Sequence, residues 1–449
     1  MKMAIFRGAG FQARLSAEWK RNFGYRRLDW NERIQTMNRR SLIASSLFGI
    51  SAVARGAAKA LPPKPLLESN ADKYWSQVRK DQFLLPDWRV FLNNGSLGVA
   101  PRKVIDAIFD FERAGDARTG DEYPRWGYET LDAERTELAA FLGCKKDELA
   151  LTHCATESMS MIAAGLDLKS GDEVLITNEE HPSGKAPWHR RAQRDGITVR
   201  EVTIPHPPKD SAQLADLLVS AIGPRTRVLS FSGILTGTGV IMPMKRICDA
   251  ARAKGVITVI DGAHVNGQIP FRLDQSGCDY FAGSPHKWMF APAGSGILYI
   301  REENLDRLWP TIVTGGWDDK SAKAARFMKV GTNNRAITAG LMAGLRFLNE
   351  LGPENVYARI HAMAKRTYAL ASQRPYLEMI SAEDDRLHGC LVTIGFRGAK
   401  LDDLWKKARE RKIWVYGSAR LRLSHHIHTR PEDIDAFFAL TDELLGKKV

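Results

Sequence analysis

The sequence predicts an α/β protein: a large domain built on a mainly parallel sheet covered by helices, followed by a smaller C-terminal α+β domain. Three observations carry this. Short, nearly continuous apolar runs alternate with longer amphipathic stretches through the middle of the chain, the pattern of strands buried on both faces by crossover helices. The alternation changes after Gly331, where the long stretch "RAITAGLMAGLRFLNELG" opens a region of mixed helices and strands. Composition is that of a globular chain, 44% hydrophobic and 26% charged over 449 residues, enough for two or three domains.

In chain order, the first sixty residues read as an address. From Met37 the text runs "MNRRSLIASSLFGISAVARGAAKALPP". Two arginines precede an apolar run of about a dozen residues, and Ala58–Ala60 supplies an A-x-A cleavage site. This resembles a twin-arginine (Tat) signal over residues 37–60, cleaved near Ala60, which implies export to the periplasm and the Tat translocon as a transient partner. The run is too short and too rich in Ser, Gly and Ala to span a membrane. Residues 1–36 lie before a second candidate start at Met37: either translation begins there or these residues are a leader. The Tat route carries folded proteins, so it suits a chain whose cofactor is inserted before export.

The same segment accounts for most of the charge. A formal +13 suits nucleic acid or an anionic membrane. Residues 1–60, however, hold twelve basic and three acidic side chains, a net +9 that leaves +4 for the remainder. No basic stripe is interleaved with aromatics, so neither nucleic acid nor stable membrane anchoring is expected. The five cysteines, Cys144, Cys154, Cys248, Cys278 and Cys390, show no metal-ligand spacing and suggest no disulfide scaffold.

Residues 61–90 are expected to pack on the small domain, residues 91–330 to form the large domain and residues 331–449 the small one. "RKVIDAIFDFERA" and "ETLDAERTELAAFLG" have helical periodicity, the second closed by Gly143. "DEVLITN" reads as a strand and "GKAPWHRRAQRDG" as a helix ending at Gly196. "TRVLSFSGI" is a strand, followed by the helix "MPMKRICDAARAKG" ending at Gly255. "VITVIDGAH", "CDYFAGS" and "GSGILYI" complete the strands.

Ligands of such sheets bind at the carboxyl ends of the strands, and the residues there form a set. "ITNEEHP" delivers His181, "VITVIDGAH" delivers Asp261 and His264, and "YFAGSPHK" delivers Ser284, His286 and Lys287. Behind the strand "LALTHC", Ala155 and Thr156 open a helix whose free N–H groups suit an anion. An aldehyde-reactive lysine, a buried acid, a stacking imidazole and a phosphate cradle are what pyridoxal 5′-phosphate (PLP) needs. Lys287, among apolar neighbours, would be held neutral and reactive enough to form an imine. Asp261 would keep the pyridine nitrogen protonated, so that the ring accepts electron density from a substrate carbanion. His181 would stack on the ring, Thr156 and Ala155 would hold the phosphate with Ser284 and His286, and His264 could reach the ring hydroxyl. Taken singly, an Asp-Gly after a strand is often a turn, and a lysine at a strand end is usually solvated. Their order and placement carry the assignment.

"VIDGAH" followed by "GSPHKWMFAPAGSGILYI" resembles the class V aminotransferase family of fold-type I PLP-dependent enzymes, and "HKW" with "GSGILY" resembles its isopenicillin N epimerase-like branch. The resemblance runs from "FLNNGSLGVAPRKV" to "RLSHHIHTRPEDID". It implies the roles given above and adds two. Gly331 and Thr332, in "KVGTNN", match the segment that reaches the phosphate from a second subunit, implying a homodimer. Arg422, in "RLRLS", matches the arginine that binds the substrate carboxylate through two parallel contacts. Thr236 and His264 stand where many members have Asn and Gln.

Cysteine desulfurases of this family carry a nucleophilic cysteine shortly before that arginine. Here "KIWVYGSARLRLS" has none, so desulfuration through a persulfide is not expected. The expected activity is PLP-dependent chemistry at the α carbon of a small-molecule amino acid or peptide-borne amino group, epimerase-like or aminotransferase-like. The alternatives are tailoring of a peptide siderophore in the periplasm, as by pyoverdine-modifying enzymes, C–S or C–X lysis, and an exported binding protein that has lost turnover. Trp126, Trp288 and Trp317 fall near segments that could line the pocket, though packing is the simpler role for each.

Overall fold

A computed structural model describes residues 59–118, 130–382, 384, 386–397, 402–417 and 420–445. The leader, nearly all of the Tat-like segment and Trp126 lie outside the described residues. The strands are β1 (Val90–Phe91), β2 (Leu149–Thr152), β3 (Glu173–Thr177), β4 (Thr198–Val202), β5 (Thr226–Ser232), β6 (Ile257–Asp261), β7 (Tyr280–Gly283) and β8 (Gly296–Ile300), then β9 (Leu377–Met379), β10 (Leu391–Phe396), β11 (Ile413–Trp414), β12 (Tyr416–Gly417) and β13 (Leu421–Ser424).

Seven strands form the large sheet in the order β2-β8-β7-β6-β5-β3-β4. Strands β3 to β7 pair in parallel, whereas β8 runs antiparallel to both β7 and β2. The connection from β7 to β8 explains the reversal. It holds only one helical turn, Pro285–Trp288, where a parallel return usually carries a full crossover helix.

The apolar runs are continuous because both faces are buried. Leu175, Leu229, Phe231, Ile260, Phe281 and Ile297 enter one core. Their chain neighbours Val174, Ile176, Val228, Val259, Ala282 and Leu298 enter another, as the two-residue strand period requires. The first core is covered by helices Ser211–Ala221 and Met244–Ala253, the second by Ala155–Gly165 and by Trp188 of Pro182–Asp195. Each fully buried Leu or Ile contributes about 1.5–3 kcal/mol. Helix Ala336–Leu351 follows Gly331 in sequence yet buries Leu341, Leu345 and Leu348 in the first core.

The smaller unit is an antiparallel sheet, β12-β13-β10-β9. Helices Pro353–Ser372, Asp402–Glu410 and Pro431–Leu445 enclose its own core around Ile394, Leu423, Phe437 and Phe438. The N-terminal segment touches both units. Strand β1 pairs with β11, joining Val90 to Ile413, while Trp75, Val78 and Phe83 join the first core. No helix among the described residues is long and apolar enough to cross a membrane.

Candidate active site

The carboxyl ends of β3, β5, β6 and β7 open on one side of the large sheet, facing the end of β13. Strand β6 ends on Asp261, which is 7% exposed; its Oδ1 accepts the Ala263 N–H (3.0 Å) in an Asp-Gly turn. Among the described residues, no hydrogen bond reaches Oδ2. Gly184 lies over that oxygen, and a Cβ there would come within 3.2 Å of it. The helix carrying Gly184 starts at Pro182, two residues earlier than its sequence signal, because His181 caps it: His181 Nδ1 accepts the Ser183 N–H at 3.1 Å. His181 is half-buried, and burial together with Lys287 pushes its pKa down.

After β7, Ser284 opens the turn Pro285–Trp288 that carries Lys287. Ser284 Oγ accepts the Ala155 N–H at 3.1 Å, joining this turn to the first residue of helix Ala155–Gly165. Thr156 is exposed in that first turn. His286 Nδ1 faces the Ser295 carbonyl at 3.0 Å, and burial lowers its pKa. Lys287 Nζ lies 3.0 Å from Nε2 of His264, which is fully buried. Burial is the main cause that pulls the Lys287 amine down to about 8, with Asp261 opposing the shift and Arg422 adding to it.

Arg422 enters from β13 and is 3% exposed. Its Nη1 donates to the Thr236 carbonyl (3.1 Å), its Nη2 to Ser96 Oγ (3.0 Å) and Asn93 Oδ1 (3.4 Å), and the guanidinium lies 4.4 Å from the Tyr416 ring centroid. All these partners are neutral. No carboxylate among the described residues pairs with it, and burial lowers its pKa to about 10. A buried cation without a counter-ion is costly unless an anion arrives.

The structure therefore gathers Lys287, His264, Asp261, His181, Ser284 and Arg422. Thr332 is exposed and makes no hydrogen bond among the described residues; its neighbour Asn333 reaches His153 Nε2 at 3.2 Å, beside the Ala155 helix. Three features escaped the sequence. Loop residues Asn93 and Ser96 hold Arg422, and Asn94 Nδ2 holds the Lys287 carbonyl at 2.7 Å. Glu180, buried beside His181, accepts from Thr177 Oγ1 and Ser232 Oγ, both at 2.5 Å. Trp288 donates its indole N–H to His264 Nδ1 at 3.3 Å. The doublets "NNG" and "EEH" mark the first two positions, but neither identifies a partner that is remote in sequence.

Residues 90–437 match the family model described as aminotransferase class-V. The chain is 30% identical over 394 residues to isopenicillin N epimerase of Streptomyces clavuligerus, covering 83% of this chain and 99% of that protein. It is 24% identical to a probable cysteine desulfurase of Pyrococcus abyssi, covering 82% of this chain and 97% of that one. Among solved structures, the cystine C–S lyase C-DES with its reaction product cysteine persulfide aligns at a TM-score of 0.72 and 26% identity, covering 79% of this chain and 97% of that one. A mutant of C-DES holds glycine covalently linked to its PLP cofactor.

Proposed function

Because the chain belongs to the class-V aminotransferase family, we propose that Lys287, Asp261 and Arg422 form the reaction centre with which this PLP-dependent enzyme removes the α proton of an amino acid or peptide-borne amino acid. The residues present fit the cofactor. Asp261 Oδ2 has no protein partner among the described residues and would pair with the ring nitrogen, and His181 lies in the segment over it. Ser284, Ala155 and Thr156 stand at a helix N-terminus suited to the phosphate, with His286 as a further contact, Thr332 arriving from a second subunit and His264 toward the ring hydroxyl. Bound PLP supplies an electron sink for the carbanion at the substrate's α carbon.

The observation that carries the substrate class is Arg422. A buried guanidinium held by Thr236, Asn93 and Ser96 keeps its fork free of acids and suits an α-carboxylate. Lys287, largely uncharged above about pH 8, accepts the α proton as general base.

The fate of the deprotonated substrate divides the family. We favour loss of a β-substituent, C–S or C–X lysis, because one amine base suffices for it and the C–S lyase is a close structural relative. A desulfurase-type persulfide on the protein is disfavoured: Cys390, the nearest cysteine before Arg422 in sequence, is fully buried, and burial pushes its thiol well up. Epimerisation is the second reading, supported by the 30% identical epimerase; it requires a proton delivered to the opposite face of the α carbon. Tat export to the periplasm, a homodimer completing the phosphate site and a peptide siderophore as substrate belong to the same proposal, on the sequence features given above.

The test is incubation in D2O with cystine, cysteine, other amino acids and short peptides. Deuterium at the α carbon reads proton removal. A released β-group with a 2-oxo acid marks the lyase, and inversion without loss marks the epimerase. Observing neither α-proton exchange nor release of a β-group with any α-amino acid contradicts the proposal.

A further inference from the structure

Trp288 sits beside Lys287 in a position that packing alone explains, yet its indole is not idle. An indole N–H only donates, and it points at His264 Nδ1 from 3.3 Å. That nitrogen must therefore be the acceptor. His264 is fully buried, and desolvation holds its pKa well below the ordinary value, so the ring is neutral and its one proton is on Nε2. Nε2 faces Lys287 Nζ at 3.0 Å. An ammonium has three donors and no acceptor, and against an N–H it would place donor against donor. Only the free amine, with its lone pair, closes this contact.

The indole cannot easily turn away. Trp288 is fully buried and stacks on His426 with ring centroids 5.7 Å apart and planes 19° apart. His426 Nδ1 accepts the Ile427 N–H at 2.8 Å, which leaves Nε2–H to donate to the Trp288 carbonyl at 3.2 Å. The backbone of His264 is held from behind, where its carbonyl accepts from Gln268 Nε2 at 2.7 Å.

We propose that Trp288 is a positioning residue that fixes the Nε2–H tautomer of His264 and thereby holds Lys287 as a free amine, ready to capture the cofactor aldehyde. The inference rests on Lys287 being the cofactor-bearing lysine. The other groups acting on Lys287 oppose one another: Asp261 from the end of β6 and Cys154 before helix Ala155–Gly165 favour the ammonium, while Arg422 from β13 disfavours it. His181 and His286 also face it and are themselves held below their ordinary pKa. The tautomer of His264 adds a directional contact to this balance.

The test titrates Lys287 in protein freed of cofactor, using an amine-reactive label read on the Lys287 peptide by mass as pH is varied. Trp288→Phe removes the N–H and frees His264 to take the other tautomer, whose Nε2 accepts from an ammonium. The labelling midpoint should rise by about one unit, slowing labelling at pH 7 about tenfold. The benzothienyl analogue of tryptophan at position 288 has sulfur for N–H in the same shape and should do the same if Trp288→Phe folds poorly. In a His264→Gln background there is no tautomer to fix, and Trp288→Phe should leave the midpoint where it was. An unchanged midpoint in both position-288 variants, or the same shift in both backgrounds, overturns the proposal, the second by showing a packing effect. Labelling needs no cofactor, so this failure is distinct from failure of the cofactor assignment, which shows as a native protein that binds no PLP.

Discussion

A guanidinium that is buried among neutral acceptors is waiting for an acid. Arg422→Lys keeps the charge but loses the planar fork and its contacts with Thr236, Asn93 and Ser96, so amino-acid binding should weaken at least about tenfold while the cofactor stays bound. Spectral titration of the holoenzyme with an unreactive amino acid measures this, and equal affinity in the two proteins would count against the carboxylate role. At this scale the sequence was informative wherever function follows position on a strand. Asp261 ends one strand and His181 and Lys287 follow two others, and the structure places the three near one another. It singled out Trp288 but not its partner, because an apolar body predicts burial whether or not the indole has one, and it was silent on Asn93 and Ser96, whose partner lies more than 300 residues away.

At the scale of elements, the turn carrying Lys287 is too short to satisfy its own carbonyls, and distant segments do so. Gly98 N–H donates to His286 O (3.0 Å), Asn94 Nδ2 to Lys287 O (2.7 Å) and His426 Nε2 to Trp288 O (3.2 Å). Gly98 is obligatory here because an added Cβ would sit 2.4 Å from the Lys287 carbonyl and 2.5 Å from that of His286. Gly98→Ala should cost about 1–3 kcal/mol, read by chemical denaturation; unchanged stability would show that the approach is not tight. Glu180 ties the ends of β3 and β5 through Thr177 and Ser232, and Ser232 pairs in register with Asp261 on β6. Burial raises its pKa from an ordinary 4.5 to about 7. A raised pKa in the folded state means stability present below about pH 4.5 and lost as pH climbs to about 7, on the order of 3 kcal/mol in all. Glu180→Gln should flatten the stability profile across that window, and an identical slope in both proteins would show that Glu180 does not set it. Strand existence was legible from apolar runs, but the antiparallel course of β8 was not, because direction depends on what the connecting turn can span.

The whole molecule joins two packed units through segments far apart in sequence. The N-terminal stretch pairs β1 with β11 of the small unit and buries Trp75 and Phe83 in the core of the large sheet. Arg79 donates to the His428 carbonyl, and His428 Nε2 meets Asn94 Oδ1 at 3.3 Å, next to the residue that holds Arg422. Arg422 and the lysine turn are thus braced by one loop, Asn93 to Gly98. The α/β class and the two-unit plan were readable from periodicity, because burial on two faces leaves a continuous apolar signature. This bracing was not, since loops carry no period.

The role of Lys287 as the cofactor-bearing residue is tested most directly by the mass of its peptide after the native protein is treated with borohydride. If Lys287 carries PLP, the protein shows a visible absorbance band that the reductant removes, with one pyridoxyl phosphate adduct on Lys287 and none in Lys287→Ala. An adduct on another lysine, or a reconstituted protein that takes up PLP with no adduct at Lys287, would contradict that role.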